Sequence, residues 1–363
     1  KYKYVMYIYP LKAAHGDALI IKFFAKVRQY TIVVDGGPAS TADDIADIYD
    51  TLEYIDLLIL THYDEDHISG LLEYFSRHKN DHTNRIGKVW VNGAHLIYYD
   101  DEENTTAYDN AFSLINCLDK LKAHGFIGQW DDNVTDMFAP VVTEDYRIDI
   151  LSPTNKILET LEKKFEEYIE EHGLQDELDT DTEVAFSHVL ADSKKSLEEL
   201  SASVIKSKTS FMNSTSIAFL LRAEGKCILL MGDADPMVVT KSLEKLILRD
   251  STLGKPLHID LMKVSHHGSK ANIRKKLLEL IDCQKYLFTT NGGTGGSYHP
   301  DRMTLAYLWK YSNYSKDNKL TLYFNYSLSS IEVRNIGILS SEEQKMFNIV
   351  DNYENNSLPK IAL

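Results

Sequence analysis

The stretch "LLILTHYDEDHISG", Leu57–Gly70, constrains the chain more than any other. An apolar run reads as a short buried strand, and it leads into two histidines and three acids. Such a cluster at the end of a buried strand is costly unless the charges are paired or coordinate a metal. The rest of the chain must therefore bring partners to this point.

The neighbouring segments read as alternating strands and helices. "YVMYIY", "ALIIKFF" and "YTIVVDGG" are strands, and "STADDIADIYDTLEYI" is a helix with acids in its first turn. "ISGLLEYFSRHK" is a helix and "KVWVNG" a strand. Tyr108, Phe112, Ile115, Leu118 and Leu121 recur at helical spacing, and Gly125 stands where a C-cap belongs. "YRIDILSP" is a strand stopped by Pro153. Residues 155–210 hold 14 acids against 7 bases and read as a solvated, partly mobile helical insertion. Strand and helix patterns then resume, with "NGGTGGSYHP" as a glycine-rich loop.

Two stretches echo each other. "ALIIKFF…YTIVVDGG…IDLLILTH" and "SIAFLLRAEGKCILLMGDA…IDLMKVSHH" share one order: strand, turn, apolar strand ending at Gly and Asp, helix, strand, His. Two similar halves packed sheet to sheet, with helices outside, would carry those acids and histidines to a common edge.

The residue types at that edge suit metal chemistry. His62, Asp64, Asp66 and His67 offer imidazole nitrogen and carboxylate oxygen within six residues, a donor set for Zn²⁺, Mn²⁺ or Fe²⁺. Asp233, after "ILLMG", is the candidate bridge between two ions, and His266, after "LMKVS", the candidate distal ligand.

"THYDEDH" resembles the metallo-β-lactamase superfamily motif His-x-His-x-Asp-His, with Asp64 at the second His position. "HGDALII", "IVVDGG", "NSTSIAFLL", "ILLMGDA", "VSHHGSK" and "YHP" follow in the order of the ComEC-type branch, similar to the hydrolase domain of DNA-uptake proteins. The resemblance, which covers most of residues 4–325 apart from the helical acidic insertion, implies an α/β chain with an αββα sandwich of two packed mixed sheets and outer helices. It implies one hydrolase-like domain over 1–340, interrupted at 155–210, and a C-terminal tail over 341–363. His62 and Asp64 would hold a first metal, and Asp66, His67 and His266 a second, with Asp233 between them. Asn213 stands where the family's third-motif His is expected, with His95 as an alternative. One or two Zn²⁺ ions are the expected cofactor, while the oxygen-rich first position weakens zinc there and raises Mn²⁺ or a single metal. Asp35 is expected to orient a ligand, Asp66 to take part in catalysis, and His267 and His299 to contact substrate or move a proton. His15 is expected as scaffold near the site, and Lys263 and Ser269 as phosphate contacts.

The expected function is a metal-dependent hydrolase, a phosphodiesterase or nuclease-like enzyme using metal-bound hydroxide. Hydrolysis of a small ester, thioester or lactone is the alternative, and a non-catalytic interaction module that keeps its metal site is a third reading. The net charge of −15 argues against long nucleic-acid duplexes and for a single strand or nucleotide. Three scattered cysteines and the absence of signal-peptide features lead us to expect a cytoplasmic protein. No apolar run is long enough for a membrane span, so no membrane partner is expected. The acidic insertion is the expected surface for a protein partner or a second copy.

Overall fold

The structure is a computed structural model describing residues 5–25, 28–92, 107–171, 192–293, 298–312, 318–351 and 359–363. His95 lies outside the described residues. In chain order, the first half supplies β1 (Tyr7–Pro10), β2 (Leu19–Ala25), β3 (Arg28–Val34), β4 (Ile55–Ile59), β5 (Ile86–Trp90) and β6 (Ile127–Asp131). The second supplies β7 (Val141–Val142), β8 (Tyr146–Ser152), β9 (Ala218–Ala223), β10 (Lys226–Leu230), β11 (Leu257–Ile259) and β12 (Leu261–Lys263). It continues with β13 (Ile281–Cys283), β14 (Lys285–Phe288), β15 (Thr321–Phe324), β16 (Asn348–Val350) and β17 (Ile361–Ala362).

These strands form two large mixed sheets, ordered β17-β1-β2-β3-β4-β5-β6 and β16-β15-β14-β12-β10-β9-β8-β7, with β11 and β13 as a small third sheet. The alternation of side chains along each strand sorts the core into layers. Leu19, Ile21 and Phe23 of β2 pack in one cluster with Phe219 and Leu221 of β9, so these faces meet between the sheets. Ile20 of β2 turns the other way, toward the outer helices α1 (Ala42–Asp50), α2 (Glu65–His78) and α3 (Ala107–Ala123). Leu220 of β9 likewise faces the helices Pro236–Arg249 and Arg302–Tyr311. The result is the αββα sandwich.

The echo in the sequence is also an echo in topology. β2 and β3 form an antiparallel pair, and β3 then runs parallel to β4 after α1. β9 and β10 pair the same way, and β10 runs parallel to β12 after the helix Pro236–Arg249. Asp235 caps that helix by accepting from the Met237 N–H at 2.7 Å, and Pro236 fills its first turn. Gly125 follows α3 at φ +81°, a left-handed position that glycine adopts without a Cβ clash.

Two expectations need revision. Within the acidic segment, α4 (Asn155–Glu171) buries Leu158 and Leu161 against the first outer layer. The helix Leu197–Ser201 buries Leu197 and Leu200 against the second. Both ends of the segment are thus core elements, because a few leucines at helical spacing anchor an otherwise charged stretch. Residues 172–191 lie outside the described residues. Residues 341–363, expected as a tail, contribute β16 and β17, which add edge strands to the two sheets. Among the described residues, no helix is long and apolar enough to cross a membrane.

Candidate metal centre

The candidate residues gather where β3, β4, β10, β12 and β14 end, the edge at which open α/β sheets place their sites. β4 ends before Thr61 and His62, and the chain turns through Asp64 into α2, whose first turn holds Glu65, Asp66 and His67. Asp64 is the N-cap residue, yet its side chain makes no capping bond. It is 33% exposed and places Oδ2 3.2 Å from Nε2 of His62. An N-cap aspartate ordinarily contributes about 1 kcal/mol to its helix, so this contact takes the place of a local stabilisation.

His67 is fully buried and central. Its Nε2 lies 3.5 Å from Oδ2 of Asp233 and 3.7 Å from Oδ2 of Asp66. On the other side of the ring, Nδ1 lies 2.8 Å from Oδ2 of Asp35. Asp35 is itself fixed by the Thr61 N–H at 2.7 Å and the Thr61 hydroxyl at 2.8 Å. A third bond, from the Tyr49 hydroxyl to the Asp35 carbonyl at 2.5 Å, ties this loop to α1. Asp35 therefore holds the His67 ring and leaves Nε2 for the site.

The second half contributes Asp233, inside the turn from Met231 to Ala234 that follows β10, and the pair His266–His267 after β12. The two histidines adopt left-handed backbone conformations, with φ of 48° and 53°. Non-glycine residues rarely occupy this region, and two in succession turn the rings in different directions. His267 Nε2 faces Asp66 Oδ2 at 3.1 Å, while its Nδ1 lies 2.8 Å from the Thr289 carbonyl. His266 Nε2 instead faces Asp233 Oδ2 at 3.8 Å. Its Nδ1 sits between the Asn213 amide nitrogen at 3.0 Å and Asn272 Oδ1 at 3.2 Å. Asn213 thus meets His266. His299 stacks edge-on to the same ring at a centroid distance of 5.1 Å, with its Nδ1 3.6 Å from Asp301.

Three triads offer ligand atoms that all lie within 4.8 Å of one another: His62, His67 and Asp233; Asp66, His67 and His267; and Asp17, Asp35 and His67. The backbone turn thus brings His267, where the sequence suggested His266, beside Asp66 and His67. His266 stands at the rim, 27% exposed, within reach of Asp233. Lys263 and Ser269, expected as phosphate contacts, have other roles. Lys263 is buried in an ion pair with Asp17, and the Ser269 hydroxyl accepts from the Ala271 N–H. His15 lies at the rim, 3.9 Å from Glu65. Asp17 and Thr289 escaped the sequence reading; the available signal was a Gly-Asp pair just before a buried strand, as in "HGDALII".

The electrostatics set the two neighbouring histidines apart. Desolvation pushes the His266 imidazole down to about 4, with nearby His299 and His267 adding to the effect and Asp233 opposing it. Burial also disfavours charge on His267, but Asp17 and Asp66 outweigh it and raise that imidazole to about 10. For His67, burial is likewise outweighed by Asp66, Asp233 and Asp35, which raise it well above the ordinary range.

The donor set fits a divalent cation on two grounds. Nε2 of His62 and Nε2 of His67 are buried and face carboxylates at 3.2 and 3.5 Å without making a hydrogen bond of good geometry among the described residues. Orphaned buried nitrogens surrounded by carboxylates are what a cation would satisfy. The mixed imidazole and carboxylate chemistry also suits Zn²⁺ or Mn²⁺.

Two mixed sheets in an αββα sandwich, with this histidine–aspartate centre at the strand ends, define the metallo-beta-lactamase class of fold. The family model of the metallo-beta-lactamase superfamily matches residues 21–89, the segment from β2 to β5 that carries Asp35, His62 and His67. No curated protein matches the chain. Among solved structures, the metallo-beta-lactamase fold protein YhfI from Bacillus subtilis aligns over 99% of this chain and 100% of its own, at 10% identity and a TM-score of 0.42. Unliganded yeast PDE1 aligns over 95% and 96%, at 11% identity and a TM-score of 0.46. A diphosphatase from the PhnP family aligns over 99% and 97%, at 9% identity and 0.42. At these identities and scores, none of the three bears on what this chain does.

Proposed function

We propose that the chain is a metal-dependent hydrolase of phosphodiesters, with a nucleotide or single-stranded nucleic acid as its substrate class. The observation that carries this reading is the convergence of His62, His67, Asp233, Asp66 and His267 around two buried imidazole nitrogens that make no hydrogen bond of good geometry among the described residues. When bound, a divalent cation supplies Lewis acidity and acidifies a water. His62, His67 and Asp233 would hold one ion, with Asp64 beside His62. Asp66, His67 and His267 are the alternative set for that ion, since His67 has only Nε2 free to coordinate. The high carboxylate content favours hard cations, which suit phosphoryl oxygens and leave Mn²⁺ beside Zn²⁺ as the metal.

The chain's own residues supply the rest. Asp35 and Thr61 fix the His67 ring. Burial of His67 and Asp233 excludes bulk water and strengthens the local field. His266, neutral at neutral pH, and His299 stand together at the partly exposed rim. There they can donate to a phosphoryl oxygen, and His299 can pass a proton to the leaving oxygen. The ComEC-type order of the motifs is the reason to favour nucleic-acid or nucleotide phosphodiesters.

The test is a turnover screen of metal-analysed protein on bis(p-nitrophenyl) phosphate, single-stranded oligonucleotides, carboxyl esters, thioesters and lactones, with added Mn²⁺ or Zn²⁺. Cation-dependent cleavage of the phosphodiesters is expected. Turnover confined to a carbonyl substrate would replace this reading with the ester one. Tight metal binding without turnover of anything would leave an interaction module.

A further inference from the structure

Asp17 and Lys263 form an ion pair in the interior, each 1% exposed. Asp17 lies in the loop between β1 and β2 of the first sheet, and Lys263 ends β12 of the second. The pair touches the metal centre on several sides. Lys263 approaches the carbonyl of Gly232, next to Asp233, at 3.5 Å. The Asp17 N–H donates to the Asp66 carbonyl at 3.1 Å. Oδ1 of Asp17 accepts from the Thr289 hydroxyl and lies 3.5 Å from His267 Nδ1. The Thr289 carbonyl holds that same nitrogen at 2.8 Å.

From this geometry we infer that Asp17 and Lys263, with Thr289, are positioning residues for His267, holding its ring so that Nε2 faces Asp66. The arrangement parallels what Asp35 does for His67: an acceptor sits behind Nδ1, here the Thr289 carbonyl with the Asp17 carboxylate beside it at 3.5 Å, and Nε2 is directed into the site. Stability alone accounts poorly for the pair. Buried ion pairs often give no net stabilisation over apolar residues of the same volume, because desolvation cancels the attraction. His267 has a particular need for support. Its backbone is left-handed beside a left-handed neighbour, so no regular strand sets its ring direction. The Asp17 carboxyl stays ionised in this position, since Lys263 and His267 together overcome the burial that opposes its charge.

The inference rests on the proposed cation site for its consequence on metal affinity, but not for the ring orientation itself. Asp17→Asn with Lys263→Met removes both charges at similar volume. The metal-free crystal structure of this double variant is expected to show the His267 ring turned away from Asp66, with the melting temperature preserved. Zinc affinity, measured by competition with a chromophoric chelator, is expected to fall roughly 10–100-fold. A ring unmoved in the variant overturns the inference, whatever the zinc result. A turned ring, in a protein that binds no zinc even as wild type, sustains the positioning role and sinks the cation site instead. Should the double variant not fold, Thr289→Val replaces it. That change should shift the ring and weaken zinc in the same direction, and Thr289→Ser should restore both. An unaltered ring and affinity in Thr289→Val would refute the role.

Discussion

His67 Nε2 and Asp233 Oδ2 lie 3.5 Å apart, one at the start of a helix that follows the first sheet and the other at the end of a strand of the second. Neither half of the chain assembles the centre alone. The contact forms only when the two sheets pack at the register set by the shared apolar layer between them.

Asp233 belongs to the first triad and approaches His266 as well, so its loss should be severe. Asp233→Asn keeps the volume and removes the charge. It is expected to lower kcat/KM on the best phosphodiester by at least about 100-fold, or about 2.7 kcal/mol in barrier. Steady-state kinetics on variant protein with unchanged circular dichroism checks this. Near-full activity would remove Asp233 from the mechanism.

A cation that binds only the folded chain must raise its stability. At a free concentration 100 times its dissociation constant, the gain is about 2.7 kcal/mol. Thermal melts with increasing Zn²⁺ or Mn²⁺ should therefore move upward by several degrees and return on adding a chelator. A melting curve indifferent to every divalent cation would count against the centre.

A leucine of the acidic segment and one of the helix Pro236–Arg249 lie at opposite extremes of burial. Leu200 is fully buried against the second outer layer, whereas Leu248 is 87% exposed. Leu200→Ala is expected to cost about 2–5 kcal/mol in denaturant unfolding. Leu248→Ala should stay within about 0.5 kcal/mol of wild type. Equal effects would mean that the segment does not pack as described.

The three thiols should differ in reactivity. Burial pushes the Cys283 and Cys227 thiols up to about 12. Below that value the thiolate fraction falls tenfold for each pH unit. At pH 8 both should react with a disulfide reagent on the order of 10³ times more slowly than a free cysteine. Half-buried Cys117 should react first, and denaturation should release all three. Three equally fast native thiols would contradict the packing around β10 and β13.

Much of the layering was legible because apolar alternation and helical spacing depend on neighbours in sequence. β3, β4, β9 and β10 stand out as apolar runs, and Ile115, Leu118 and Leu121 mark the inner face of α3. The polar punctuation at strand ends also pointed to one edge. What stayed hidden depends on backbone angles and on distances between sheets. Neither histidine of "SHHGS" announces its left-handed conformation, so the sequence could not say which ring would face Asp66. The Asp17–Lys263 pair joins residues far apart in the chain and carries no local pattern. In the acidic segment, charge dominates composition, yet Leu158, Leu161, Leu197 and Leu200 decide where its ends lie.

One side chain gathers the periphery of the centre. The guanidinium of Arg302 donates to the carbonyls of Asp192, Lys195, Gly337 and Ile338, and pairs with Glu343. It sits two residues past Pro300, whose own carbonyl accepts from Asn335, on the stretch that carries His299. The rim histidine, the returning end of the acidic arm and the segment before β16 are thus spokes on one hub. A displacement of any one would have to break charged hydrogen bonds to the others, so the place of His299 is tied to segments far along the chain.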